Sequence, residues 1–353
     1  MTHPDAHLLD PAPLLPTTLA RIEQQVARLL GSDDSVVLFQ AEAILALEAV
    51  ATALAAPGRA AITVATGPYG VIFGDWMRRG GSRVVDVESA LDSVATVEQV
   101  VAALDAHPDV VVLALAHAEA ATGGSNPVAE IVRAARDRGV VTVVDSVASV
   151  GAEAVDPAAW GADVCVIGPQ KALAGPAGVS AATVSDRAWH LAETHPAPLR
   201  SSSLSLLDWR DGWLRTDRSV IPGTPSVLET RALGAALDRV EAEGLAAVVA
   251  RHGAAASRAR AGLAELGLRP WQRGPQGYAS VVTTVAVPDD VDPRAFTDAA
   301  VAAGGGVVAA GPGALAGRLV RINHTGRSAT PEAVDRALEA LAAACRATGR
   351  TST

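Results

Sequence analysis

Val143-Val144-Asp145-Ser146-Val147-Ala148-Ser149, followed by Gly161-Ala162-Asp163-Val164-Cys165-Val166-Ile167-Gly168-Pro169-Gln170-Lys171-Ala172-Leu173-Ala174-Gly175-Pro176, is the stretch whose reading decides the fold. Each segment contains a short apolar run rich in β-branched residues and closes on polar, Gly or Pro positions, which reads as two buried strands of an α/β sheet. Asp145 and Lys171 then stand at or just past the carboxyl ends of those strands. Open α/β sheets bind their ligands there.

Lys171 is the one lysine among the 29 Lys and Arg residues of the chain. Arg keeps its proton in any protein setting, whereas a desolvated Lys can act as a nucleophile and form a Schiff base with a carbonyl. A chain that fills every other basic position with Arg needs an amine at this place, unless the bias arose by chance. Asp145 completes a chemical pair, because pyridoxal chemistry requires a lysine for the aldimine and an acid facing the pyridine nitrogen. Taken alone, Asp145 reads equally as a buried structural carboxylate.

Working outward, strand and helix signals alternate. Strands are expected near 36–39, 61–65, 83–87, 110–114, 140–144, 164–167 and 179–184, with helices near 44–54, 70–79, 97–106 and 128–138, so that βαβ units cover both faces of one sheet. An earlier helix, opening on Thr17-Thr18 as its cap, carries Leu19, Ile22, Val26, Leu29 and Leu30 on one face. Long amphipathic helices follow over 227–245 and 246–266. Past Leu268 the pattern becomes a strand at 281–287, a helix at 293–303, a strand at 319–322 and a last helix at 331–345. The expected organisation is an arm over 1–15, a large α/β domain over 16–245 with a doubly wound, mostly parallel sheet, and a smaller α+β domain over 246–353.

Composition narrows the function. At 353 residues, 49% hydrophobic and 19% charged, the chain reads as globular, and no apolar run approaches the roughly 18 residues of a membrane span. The first residues lack the basic and apolar regions of a signal peptide, so a cytoplasmic setting is expected. A net charge of −9 argues against nucleic acid or an anionic membrane as the main partner. Two cysteines and eight scattered histidines give neither a disulfide framework nor a metal-ligand pattern.

The run from Asp145 to Gly178 resembles the lysine region of the fold-type I, class V aminotransferases of the alanine-glyoxylate and serine-pyruvate group. Asn126-Pro127 after the Thr122-Gly123 turn, Thr224-Pro225-Ser226-Val227, and Leu319-Val320-Arg321-Ile322-Asn323-His324-Thr325-Gly326 resemble that group in the same order. The resemblance covers about Leu29 to Leu341. It implies that Lys171 forms the aldimine and Asp145 keeps the ring nitrogen protonated. Tyr69 and Val147 would hold the ring between them, and Arg321 would grip a substrate carboxylate, with Arg327 a weaker second candidate. It also implies a homodimer, two of which could pair as a tetramer, and no metal.

The departure at Glu42 is the most informative. Where phosphate-binding members of the family place a Ser-Gly-Thr turn, this chain has Glu42-Ala43-Ile44. A carboxylate about 4 Å from a phosphate costs on the order of 4 kcal/mol per charge pair at an effective dielectric of 20. A helix N-terminus returns only about 0.3 to 1 kcal/mol. A ring without its phosphate, whose 5′-hydroxyl donates to Glu42, removes the conflict. In the competing reading Glu42 only caps its helix, and the phosphate is held elsewhere, for example by Gln170 and by Thr224 of a neighbouring subunit.

The runs 37–42, 67–76, 203–209 and 224–227 resemble the branch of this family that transaminates unphosphorylated pyridoxamine with pyruvate. That resemblance implies that pyridoxamine and pyridoxal are substrates, with a small 2-oxo acid as the partner. The alternative is a pyridoxal-phosphate-dependent alanine-glyoxylate or serine-pyruvate aminotransferase. Three departures from the branch bear on the keto acid: a shorter N-terminal segment, Pro312 where an arginine is expected, and Ala120 where a hydroxyl is expected.

Overall fold

The computed structural model describes residue 5 and residues 8–216, 218–274 and 277–350, so residues 1–4, 6 and 7 of the expected arm lie outside the described residues. Helix α1 (Pro16–Leu29) starts on Pro16, with Leu15 as an N-cap that makes no side-chain bond. The expected Thr17-Thr18 cap is therefore corrected. Proline's fixed φ and missing N–H suit the first helical position, and the N-cap falls at Leu15, two residues before Thr17.

From there the chain runs through β1 (Ser35–Phe39), α2 (Ala43–Leu54), β2 (Ala60–Ala65), α3 (Pro68–Arg79), β3 (Arg83–Glu88), α4 (Val97–Ala106) and β4 (Val110–Ala116). A two-residue-per-strand hairpin follows, β5 (Ala118–Glu119) with β6 (Gly124–Ser125), then α5 (Val128–Arg136), β7 (Val141–Asp145), α6 (Pro157–Trp160), β8 (Val164–Ile167), β9 (Ser180–Val184) and α7 (Asp186–Glu193). After α8 (Leu206–Asp208) and a π-helical turn over Trp209–Leu214 come α9 (Val227–Glu243), α10 (Leu245–Glu265), β10 (Thr283–Ala286), α11 (Pro293–Ala303), β11 (Val308–Ala310), β12 (Leu319–Ile322) and α12 (Pro331–Ala347). Local chemistry sets many of the starts. Thr96 and Gln99 form a reciprocal capping box on α4, and Ser185, Asp292 and Thr330 cap α7, α11 and α12.

Seven strands form one sheet in the order β1-β9-β8-β7-β4-β2-β3. β9 is antiparallel to both neighbours, and every other pairing is parallel, so β1 and the five parallel strands all point their carboxyl ends to one side. All residues of β2 and β9 are buried, as a sheet covered on both faces requires. This is the fold-type I α/β arrangement. Three antiparallel strands, β10-β12-β11, make a second sheet.

Val248, near the start of α10, packs into the core of the large sheet, whereas Ala255, Ala259 and Leu263 of the same helix pack with α11, α12 and the small sheet. Burying a Leu or Val of this kind contributes about 1.5 to 3 kcal/mol, so α10 is anchored firmly at both ends. We propose the two cores as two domains dividing at the start of α10.

Candidate active site

Asp145 is the last residue of β7, paired with Ala116 of β4 on one side and Val166 of β8 on the other. Its Oδ1 accepts the Val147 N–H at 2.9 Å, which turns the chain back and lays the buried Val147 beside the carboxyl group. Burial raises the Asp145 pKa, while the nearby Lys171 charge and the Val147 N–H oppose that shift.

Lys171 follows β8 in a tight loop. Gly175 N–H donates to the Pro169 carbonyl at 2.7 Å, Ala174 N–H donates to the Lys171 carbonyl at 2.9 Å, and Arg239 of α9 donates to the Leu173 carbonyl. Ala174 sits at φ +47, a left-handed conformation that a non-glycine residue adopts only when its surroundings enforce it. The Lys171 Nζ lies 5.5 Å from the centroid of the Tyr69 ring. Tyr69 is the second residue of α3, where Gly67 and Pro68 turn the chain out of β2.

Glu119 joins this group and was not expected from the sequence. Only 1% exposed, it fills the space beside Gly67, where an added Cβ would come within 2.4 Å of its carboxylate. Oε1 accepts the Ala121 N–H at 3.4 Å, and Oε2 has no partner among the described residues. Burial, then the charge of Asp145, pushes its pKa up to about 7, against the opposing charge of Lys171. An acid within an alanine-rich turn carries no periodic signal; only its burial marks it.

Glu119 also makes a stability prediction. With a folded pKa above the ordinary 4.5, the folded chain holds a proton that the unfolded chain loses as pH rises from 4.5 to 7. Stability from this group is complete below 4.5 and declines through that window, by about 3 kcal/mol at the upper end. Glu119→Gln is expected to be more stable than the parent at pH 8 and similar at pH 4, as read by urea denaturation of the ligand-free protein. An equal pH slope in both proteins would refute it.

At the carboxyl end of β1, Glu42 is the N-cap of α2, and its Oε2 accepts the Ile44 N–H at 2.8 Å. Its Oε1 accepts from Gln170 Nε2 at 2.6 Å, which fixes the orientation of that amide. Gln170 Oε1 is left buried without a hydrogen-bond partner among the described residues. Gly168 makes room for it, since a Cβ there would lie 2.3 Å from Gln170 Oε1. The α2 N-terminus thus presents the Glu42 carboxylate, with the Ile44 N–H and the Gln170 amide donor already engaged by it.

Arg321 lies in the central strand of the small sheet, between Thr284 and Ala309, with Nε donating to the Ala310 carbonyl at 3.3 Å. Its charge reaches Tyr69, where it opposes a pKa rise caused by burial and by Glu119, Asp145 and Glu42. Pro312 opens a short turn beside a pocket of about 420 Å³ lined by Gly67, Pro68, Val71, Leu91 and Leu315. Arg327 is exposed. Thr224 is exposed too and is not brought against the other candidates; its segment is tied to Gln40, which bonds Pro222 and Ser226. Tyr69, Glu42, Asp145, Glu119 and Lys171 therefore form one electrostatic group, with Val147 and Gln170 bonded to its members. Among the described residues no group of three His, Cys, Asp or Glu could hold a metal, and no helix is long and apolar enough to cross a membrane.

The model of the family described as aminotransferase class-V matches residues 14–317. Pyridoxamine–pyruvate transaminase of Mesorhizobium japonicum is 34% identical over 343 residues, 97% of this chain and 87% of that protein. Serine–glyoxylate aminotransferase of Hyphomicrobium methylovorum is 29% identical over 83% of this chain and 73% of that protein. The crystal structure of pyridoxamine–pyruvate aminotransferase from Mesorhizobium loti matches with a TM-score of 0.91 at 32% identity, covering 99% of this chain and 90% of the other. The chain belongs to the class V aminotransferases.

Proposed function

We propose that this aminotransferase moves an amino group between unphosphorylated pyridoxamine or pyridoxal and a small 2-oxo acid such as pyruvate. The observation that carries the reading is the Glu42 carboxylate at the α2 N-terminus. Glu42 already occupies the Ile44 N–H, and Gln170 spends its own donor on Glu42, so neither donor is left over and the carboxylate offers only acceptor lone pairs to whatever sits there. A 5′-hydroxyl can donate to such a site. A phosphate dianion offers only further acceptors and negative charge.

The remaining residues fit a pyridoxal ring. Asp145, half-buried and with Lys171 as the cation that acts on it, is suited to a protonated ring nitrogen, which would lower its raised pKa. Tyr69 and Val147 supply flat and apolar contacts for the two ring faces. Bound pyridoxal supplies a carbonyl for an amine and a ring that takes up an electron pair. Lys171 supplies the amine and, once released, moves the proton between the substrate α-carbon and C4′. Arg321 orients the carboxylate of the amino or oxo acid through its planar fork.

A cytoplasmic homodimer belongs to the same proposal. Leu45, Val71 and Val220 are large apolar residues left exposed on elements adjoining the site, which favours a subunit contact there. The deciding experiment is an absorbance titration of dialysed protein with pyridoxal and, separately, with its phosphate ester, using Lys171→Ala as the blank. A band that saturates with pyridoxal and not with the ester is the expected result. A band present before any addition, or formed preferentially with the ester, would leave a phosphate-dependent aminotransferase instead.

A further inference from the structure

Two consecutive residues of α10 hold one residue of the distant 323–328 turn, Gly326, by both its N–H and its carbonyl. His252 is fully buried, with Nδ1 2.8 Å from the Val248 carbonyl and Nε2 accepting the Gly326 N–H at 3.0 Å. The proton therefore resides on Nδ1, and burial, which lowers the pKa, keeps the ring neutral as that acceptor role requires. Arg251 Nη1 donates to the Gly326 carbonyl at 2.8 Å and to the Ala329 carbonyl at 3.4 Å, while Nε and Nη2 engage Glu243.

Gly326 is where this turn meets the lysine loop. It sits at φ +58, and an added Cβ would come within 2.8 Å of both the Lys171 carbonyl oxygen and the Ala174 Cβ. The turn rests directly on the backbone of Lys171. Going back along the chain, the His324 ring bonds Thr283 Oγ1 at 2.7 Å and Asn323 N–H donates to the Val307 carbonyl at 2.8 Å, which leads rigidly to Arg321 in β12.

We propose that His252 and Arg251 are positioning residues: by clamping Gly326 against the Lys171–Ala174 loop, they fix the separation between the Lys171 amine and the Arg321 guanidinium. This rests on the roles proposed for those two groups. Lys171 hangs from the large sheet and Arg321 from the small one; Thr284 Oγ1 and Ala279 N–H tie the small-sheet side to the Thr122 and Gly123 carbonyls, and the clamp adds a tie that bears on the Lys171 backbone itself. A misplacement of about 1 Å between reacting groups can cost on the order of 100-fold in rate.

The test uses the full chain with four substitutions: His252→Leu, His252→Gln, Arg251→Met and Glu243→Gln. Amide exchange of the ligand-free protein is read in segments 169–176 and 323–329, and oxo-acid KM, kcat and pyridoxal binding are read separately. His252→Leu and Arg251→Met are expected to speed exchange in both segments and to raise the oxo-acid KM about fivefold or more, the worth of one hydrogen bond. Pyridoxal binding should change less. His252→Gln, which restores an acceptor, should recover the parent values, and Glu243→Gln, which removes one of the two acceptors that orient Arg251, should fall between the parent and Arg251→Met. Faster exchange confined to 323–329, or a lower melting temperature with KM unchanged, would overturn the proposal. If His252→Leu does not fold, Arg251→Met, with its partly exposed side chain, carries the same arms. The exchange arm needs no ligand, so a parent protein without transaminase activity would sink the proposed function and still leave the clamp decided.

Discussion

Replacing Lys171 by alanine is expected to cut transamination by at least about 10³-fold, the range associated with loss of a positioned proton carrier, and to remove the pyridoxal absorbance band completely. No other lysine exists in the chain to substitute for it. The fold should survive, because the Lys171 loop is held by backbone bonds from Ala174 and Gly175 and by Arg239, none of which uses the Lys171 side chain. Loss of the ammonium also removes the charge that opposes the raised pKa of Asp145 and of Glu119, so both carboxyls should titrate higher still in the variant. A small primary amine added to Lys171→Ala should restore part of the rate. Retention of the band in the variant would show that another group forms the imine, and the site assignment would fail.

The second large effect concerns ligand choice. Glu42→Gln removes one negative charge at the α2 N-terminus without changing shape, and the Gln170 amide can then reverse to face the new side chain. With about 4 kcal/mol at stake for a charge pair at 4 Å and an effective dielectric of 20, the ratio of binding constants for pyridoxal phosphate over pyridoxal should rise by up to about 10³-fold. The affinity for pyridoxal itself should fall modestly, because a hydroxyl donating to a carboxylate gives way to one donating to an amide. Both binding constants come from the same absorbance titration. An unchanged ratio would mean that the phosphate, if it binds, does so away from Glu42.

Much of the large sheet was legible because its strands are short β-branched runs between helical periods, as with Val110–Ala116 and Val164–Ile167. β11 was not, since its three residues lie in a Gly- and Ala-rich tract and become a strand only by pairing with β12. α7 and the β5–β6 hairpin were missed for the same reason: they are brief, and tertiary pairing or a single Ser185 cap defines them. Within the site, Lys171 stood out by composition and Glu42 by an unsuitable charge. Glu119, His252 and Arg251 gave no such sign. Glu119 matters through burial, and the α10 pair bonds backbone groups some seventy residues away, a relation that spacing along a sequence does not carry.

The position of β1 has a consequence for how the protein comes to be folded. β1 is an edge strand whose pairing among the described residues is with β9, and Glu42 just beyond it bonds Gln170 across 128 residues. The Gln170 bond cannot form before the chain has passed residue 170, nor the full β1–β9 pairing before Val184. Non-local pairings of this kind must bear loop-closure entropy before any contact compensates it, and they slow folding. The corner around Glu42 should therefore mature late during refolding. Pyridoxal, binding only the finished corner, should act on the refolded population by mass action rather than speed the early steps.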